Sequence, residues 1–475
     1  MSSLTTFPTE LQDSIILYLG PKDTLRLAKT CKALAKVTLP HLYHTIHLTW
    51  KATHSPPKQP RIASLLRSIA THPELAAAVK VLKFEATGFT ARKEGRLSFP
   101  KKAFHVTGED SSAALRVLSS VKLPDRKKWE DGTKEKDLDA IVALLISQCS
   151  NMQRLSLGAY FLNSNSFLPI ALQHLAQTSK LQKLEHASLG ADMQEYQSDV
   201  GFLKINAESV LPIFQLPNLR SAHVLLANTS SKLDSLPKST ALTELRLQRS
   251  RVSGSMLPGL LSSTTNLVAF EYDYRSKTGE KIDCQALMDG LKLLQSTLKH
   301  LRICVLPFST DTLLPFEFSV DEYVDGSIGS SLKNFTTLET LEVSLSVLLG
   351  RFVSTAAPLS SVLPPNLQVL TIRDDLWDYE DWEWADMEYI KLFYAFLKHE
   401  RWREVCPKLR TINLRLDQTM DDDWGEDKRD KFMKMCNVKG VKCGIYKLKV
   451  DEDEGVNGAH KDKDKRGEVF DAYFG

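Results

Sequence analysis

The sequence predicts an α/β chain: an N-terminal module of three helices, then an irregular solenoid of short parallel strands alternating with helices. Three observations predict it. The 475 residues include 71 leucines, a load that fits stacked units sharing one leucine-lined core. An apolar triplet at positions 0, +3 and +5 recurs along most of the chain, and its last two members have the period of a strand. Near the N-terminus, Leu11, Ile15 and Leu19 instead recur every four positions, the period of a helix. Hydrophobic residues make up 43% and charged residues 25%, the balance of a folded globular chain.

In the N-terminal segment, Pro8 suits the first position of a helix, where a missing N–H costs nothing. Glu10 falls in its first turn, where the helix dipole favours a carboxylate. Leu11, Ile15 and Leu19 recur every four residues with Ile16 beside them, and Gly20-Pro21 ends the helix. Asp23 is placed to cap a second helix carrying Leu25, Leu27, Ala28 and Cys31. A third, through Leu34 and Val37, is expected to stop at Pro40. Three helices this short bury little surface alone, so the module needs a neighbour or a partner.

The order Phe7-Pro8, Glu10-Leu11, Ile15, Leu19, Asp23, Leu25, Leu27, Cys31, Leu34, Pro40 and Leu42-Tyr43 resembles an F-box, most closely those of filamentous fungi. The family usually has Leu-Pro where this chain has Phe7-Pro8. The resemblance implies a Skp-family adaptor as partner and, through it, a cullin–RING ubiquitin ligase. It implies Phe7, Pro8, Leu11, Ile15, Ile16, Leu19, Leu25 and Leu27 as adaptor-binding residues. Cys31, Leu34, Leu42 and Tyr43 stand open between adaptor contacts and the module's own core.

Residues 1–50 are thus expected as the F-box, and Pro-rich residues 51–61 as a linker. The repeats then occupy 62–447. Clean triplets include Val79-Leu82-Phe84, Met152-Leu155-Leu157, Leu219-Ala222-Val224, Leu242-Leu245-Leu247 and Leu267-Phe270-Tyr272. Leu298-Leu301-Ile303, Leu338-Leu341-Val343, Leu367-Leu370-Ile372 and Leu409-Ile412-Leu414 continue the series. Leu181-Leu184 starts another that degenerates at His186. Helices are expected between strands at 62–71, 138–147, 167–176, 284–294 and 389–399. Strand and helix stacked in this way resemble a leucine-rich-repeat solenoid. The phrases Cys149-Ser-Asn-Met, Leu216-Pro-Asn-Leu, Pro364-Pro-Asn-Leu and Cys406-Pro-Lys-Leu resemble the entries to F-box-linked repeats. The asparagine ladder expected at +8 is missing. Polar, Lys-rich 88–137 reads as an inserted loop, and charged 448–475 as a disordered tail.

Sixty-one basic against 58 acidic side chains leave a net charge of +3, too little for a nucleic-acid footprint. There is no P-loop, no GxG fingerprint, no GxSxG, no HExxH and no metal-spaced His/Cys cluster, so no catalytic residue, cofactor or metal is assigned. Seven scattered cysteines without a CxxC fit free thiols in a reducing compartment, cytoplasmic or nuclear. The N-terminus has neither the basic start nor the apolar run of a secretory signal, and no apolar stretch is long enough to span a membrane. Residues 374–389 carry eight carboxylates and three tryptophans. They read either as a projecting recognition loop or as a connector with Trp384, Ile390, Phe393 and Leu397 turned inward.

If the triplet leucines face the core, positions +2, +4 and +6 face a concave wall. That places Arg246, Gln248, Glu271, Asp273, Arg302, Glu342, Arg373 and Arg415 as substrate-binding candidates. The expected function is substrate recognition in an SCF-type cullin–RING ubiquitin ligase, with an unknown protein substrate, no nucleic acid and no membrane. The alternative is an adaptor-binding or repeat-based scaffold for protein–protein interaction with no ubiquitin-ligase role.

Overall fold

Among the described residues, twelve strands lie in chain order in one parallel sheet. A computed structural model describes residues 4, 7–52, 59–89, 98–103, 105–190, 205, 207–226, 239, 241–252, 254, 256–277, 281–308, 323–376, 383–384, 386–398, 402–416 and 425–447. The expected tail at 448–475 lies outside the described residues, as does most of the linker.

Three helices open the chain: α1 (Thr9–Leu17), α2 (Pro21–Ala28) and α3 (Lys32–His44). Pro8 is the cap before α1 rather than its first residue. Gly20 precedes α2 and Pro21 opens it, while Asp23 sits in the first turn and pairs with Arg26 at 2.8 Å. The third helix does not stop at Pro40 but continues to His44. A proline ring removes one backbone donor, and tertiary packing holds the rest of the turn. The strands of the sheet follow: β1 (Thr45–Lys51), β2 (Val81–Thr87), β3 (Arg154–Leu157), β4 (His186–Leu189), β5 (Ser221–Val224), β6 (Glu244–Ser250) and β7 (Ala269–Lys277). A two-residue pair, β8 (Ile282–Asp283) with β10 (Val324–Asp325), stands apart from it. The sheet continues with β9 (His300–Phe308), β11 (Thr340–Ser344), β12 (Val369–Arg373), β13 (Thr411–Leu416) and β14 (Lys442–Lys447).

The register is unbroken at the triplet positions. Leu82 lies level with Leu155, Leu155 with Ala187, Leu245 with Phe270, Leu301 with Leu341, and Leu370 with Ile412. The +5 residues form a second rung, Phe84 through Leu157 and Leu189 to Val224 and onward. Both rungs are buried nearly throughout, each Leu, Ile, Val or Phe side chain in them stabilising the stack by about 1.5–3 kcal/mol. The degenerate unit resolves here. Ala187 and Leu189 stand at +3 and +5, so its first residue is Leu184, three positions later than the sequence pattern suggested. Residues 45–51 are corrected too: they belong to the sheet, paired with β2, not to the helical module and linker.

Between strands run the expected helices. Among them are α4 (Ile62–Thr71), α5 (Pro73–Ala78), α8 (Leu138–Gln148) and the helices Leu168–Gln177, Cys284–Leu291 and Asp386–Lys398. Crossovers between parallel neighbours are right-handed as a rule, which carries the helices between them to one face of the sheet. The opposite face is lined by positions +2, +4 and +6.

Residues 88–137 are not simply a loop. They hold α6 (Gly108–Val121) and α7 (Arg126–Lys134). A capping box starts α6: the Asp110 N–H donates to Thr107 Oγ1 at 3.2 Å and the Thr107 N–H to Asp110 Oδ2 at 2.9 Å. Trp129 of α7 is buried edge-on against Phe167, with ring centroids 4.8 Å apart.

A polar ladder runs just ahead of the strands. The residue before position 0 donates its side chain to a carbonyl two residues before position 0 of the preceding unit. Asn151 Nδ2 reaches the Ala77 carbonyl at 3.0 Å, Asn218 the Gln182 carbonyl at 2.6 Å and Asn366 the Thr336 carbonyl at 2.6 Å. Thr297 Oγ1 makes the same bond to the Thr265 carbonyl at 3.3 Å. The Asn-Leu and Asn-Met phrases are therefore strand-entry clamps, standing where the missing +8 ladder does not.

Candidate functional site

Two surfaces stand out, one on α1 and α2 and one on the helix-free face of the sheet. The first is apolar. Leu11 and Ile15 share one side of α1, continued by Phe7 one turn before and Tyr18 almost a turn after. All four are exposed, Tyr18 to 92% and Leu11 to 53%, with Leu17 at 75% beside them and Leu25 of α2 also exposed. Leu17 and Tyr18 were not singled out from sequence. Their signal was present: a Leu-Tyr pair just before Gly20, where the four-residue spacing had drawn attention to Leu19 instead.

The other side of α1 faces its own module. Ile16 is buried, so it is corrected from a partner-facing residue to a core residue. Its neighbours fix that choice. Asp13 Oδ1 meets His41 Nε2 of α3 at 2.8 Å, and Gln12 Nε2 donates to the Phe7 carbonyl at 2.7 Å. These contacts roll α1 so that Gln12 and Ile16 point inward and Leu11 and Ile15 outward. Leu19 and Leu27 are half-buried, Pro8 is exposed. Of the undecided residues, Leu34 is buried, Leu42 and Tyr43 are half-buried, and Cys31 is exposed at the cap before α3. The module thus leaves a stripe of large apolar side chains facing water.

The second surface is charged. Glu342 Oε1 on β11 meets three guanidinium groups, two from the strands on either side and one from β13 beyond: Arg373 Nη1 at 2.8 Å, Arg302 Nε at 3.2 Å and Arg415 Nε at 3.5 Å. Arg302 also pairs with Glu271, and with Asp273 at 3.3 Å. Arg246 meets Glu244 at 2.7 Å and Glu271 at 3.8 Å. Arg373 Nε donates to Asp375 Oδ1 at 2.8 Å, and Asp375 Oδ2 accepts the Val305 N–H at 3.0 Å. Gln248 lies two residues beyond Arg246, half-buried.

Burial alone would lift the Glu342 carboxyl, but Arg302, Arg373 and Arg415 outweigh it and bring it down to about 2. Glu244 behaves likewise: burial raises it, and His223 with Arg246 bring it to about 2. Asp273 and Asp375 stay above the usual carboxylate range because burial dominates there. The Cys304 thiol donates to Asp273 Oδ1 at 2.5 Å.

The sequence brought these side chains to one wall, and the structure joins seven of the eight in one ion-pair network. It also changes their character. Glu271, Asp273, Glu342 and Arg373 are buried in a network that, with Arg246, Arg302 and Arg415, ties six strands together rather than standing open to a ligand. Toward the N-terminal strands the same face is more open, with exposed Arg154 and half-buried Lys83, His186 and His223.

The acidic, Trp-containing segment is only partly described. Trp384 is buried and its Nε1–H donates to the Gly350 carbonyl at 3.0 Å, while Phe393 and Leu397 are buried and Ile390 packs against the core. These residues follow the connector reading. Among the described residues no group of His, Cys, Asp and Glu is placed to hold a metal, and no helix is long and apolar enough to cross a membrane. No family model matches the chain, and no curated protein does either.

Proposed function

We propose that the protein is a substrate-recognition subunit of an SCF-type cullin–RING ubiquitin ligase. In this reading α1–α3 form an F-box that docks a Skp-family adaptor, and the strand array is an irregular leucine-rich-repeat solenoid that holds a protein substrate. The observation that carries it is the stripe Phe7, Leu11, Ile15 and Tyr18: large apolar side chains left exposed on a module whose sequence order resembles an F-box. A water-facing stripe of this kind gains about 25 cal/mol per Å² when a partner covers it. Its residues lie on the side of α1 turned away from Ile16, so a partner can cover them without unpacking the module.

The chain does no covalent chemistry in this scheme. It acts by position, raising the effective concentration of target lysines beside a conjugating enzyme held by the same assembly. The half-open stretch around Arg154, His186 and His223 is a better substrate face than the self-paired network around Glu342.

Co-purification of the full chain with a Skp-family adaptor tests the reading. Wild type should give a 1:1 complex. Leu11→Asp/Ile15→Asp should lose it while keeping the wild-type circular dichroism spectrum, because both side chains point outward. Ile16→Asp should instead disturb the module itself. If folded wild type forms no complex, the ligase reading fails and a scaffold remains. If the complex forms but never supports ubiquitin transfer to any bound protein, the adaptor-binding scaffold is the correct reading.

A further inference from the structure

We infer that Cys436 and Cys443 are a thiol pair built to close into one disulfide, pinning the last helix to the last strand of the sheet. Cys436 lies in the final turn of the helix Glu426–Val438, and Cys443 is the second residue of β14. The chain reverses between them at Gly440, whose φ of +71° suits glycine. The Val441 N–H donates to the Cys436 carbonyl at 3.1 Å, which draws the start of β14 against the helix end. The two thiols meet side chain to side chain, and Cys443 Sγ lies 4.0 Å from the Met433 carbonyl one turn earlier.

The two cysteines differ in access. Cys436 is fully buried and Cys443 is half-buried. Burial pushes the Cys436 thiol up to about 12 and raises Cys443 less, with Cys436 itself easing the latter. Cys443 is therefore the entry point and Cys436 the resolving thiol. The other cysteines offer no such pair: Cys149, Cys284, Cys304 and Cys406 are buried, and Cys31 is exposed at the far end of the chain.

The co-reactant is a small-molecule disulfide such as oxidised glutathione. The Cys443 thiolate attacks one of its sulfurs, forming a mixed disulfide and expelling one glutathione thiolate. The Cys436 thiolate then attacks the Cys443 sulfur and expels the second glutathione. Two protein thiols are oxidised, one disulfide is reduced to two thiols, and the protein loses two hydrogens. With both thiols held protonated, closure is slow at neutral pH and speeds up as pH rises.

Full-length protein carrying Cys31→Ser, treated with oxidised glutathione and digested with trypsin without reductant, tests this. Trypsin cuts after Lys434, Lys439, Lys442 and Lys447, so the pair falls on separate peptides. The expected product is peptide 435–439 joined to peptide 443–447. Adding Cys436→Ser should trap glutathione on Cys443, and adding Cys443→Ser should leave neither product. Cys436→Ala replaces Cys436→Ser if serine in that buried place unfolds the cap by circular dichroism. Glutathione retained on Cys443 with Cys436 present, or no modification of either residue in folded protein, overturns the inference.

Discussion

At the scale of single residues, Glu342 decides most. Its carboxylate is shared by three arginines in a buried setting, so Glu342→Ala leaves like charges facing each other without solvent. Breaking a buried network of this kind costs about 3–5 kcal/mol, which a urea unfolding midpoint measures. The pH dependence follows from the same contacts. Glu342 ionises at about 2 in the fold against an ordinary 4.5, so its stabilisation is complete above pH 4.5 and fades as pH falls toward 2. The stability gap between wild type and Glu342→Gln should therefore narrow over that interval, read from thermal midpoints at successive pH. Asp273 and Asp375, held high by burial, act in the opposite sense and blunt the loss. The positions of these residues were legible from the period of the strands. Their pairing was not, because the partners lie 31 and 40 residues apart in the chain and meet only through the register. Ile15 and Ile16 teach the same lesson: both are apolar, and only the Asp13–His41 contact says which one faces in.

At the scale of elements, the strand-entry clamps make a local prediction. Asn366→Ala removes the bond to the Thr336 carbonyl and should lower stability by about 0.5–1.5 kcal/mol in denaturant unfolding. A second prediction concerns α7. A Cβ on Gly132 would stand 2.5 Å from Phe167 Cζ, so Gly132→Ala must displace the ring that covers Trp129. Overpacking of this kind costs about 1–3 kcal/mol, seen as a lowered midpoint and a shift in tryptophan fluorescence. Most helices were readable, and the one at Ile62–Thr71 falls where its apolar spacing put it. Helix α6 was hidden by the lysines around it, although Ala113, Ala114, Val117, Leu118 and Val121 carry a helical period. Strand β1 fits the triplet as Tyr43, Ile46 and Leu48, but those residues fell inside the segment assigned to the helical module, past Pro40. Strand β14 escaped because Gly440 stands where its first leucine would be.

At the scale of the molecule, the strands of the sheet hydrogen-bond through their backbones to the strands beside them in the sheet order, so stability accumulates along the array. Amide hydrogen exchange should be slowest in β7, β9 and β11, which are paired on both sides and buried. It should be fastest in β14, which pairs on one side with β13. The α/β class and ten of the twelve sheet strands were legible because buried rungs leave a strict apolar spacing. The outermost two were not: Gly440 breaks the triplet of β14, and the triplet of β1 lay inside the segment assigned to the helical module.

The junction at residue 44 has a further consequence. Helix α3 ends at His44, β1 begins at Thr45, and the His44 carbonyl accepts the Lys80 N–H of the next unit at 2.9 Å. No slack chain separates the helices from the sheet. Parallel neighbours stand about 4.8 Å apart, so the array is graduated like a ruler fixed at its zero mark. Under the proposed reading, a target seated at β13 rather than β3 sits roughly 40 Å further from the adaptor, measured along the sheet. Which strand holds the target would then select which of its lysines comes within reach.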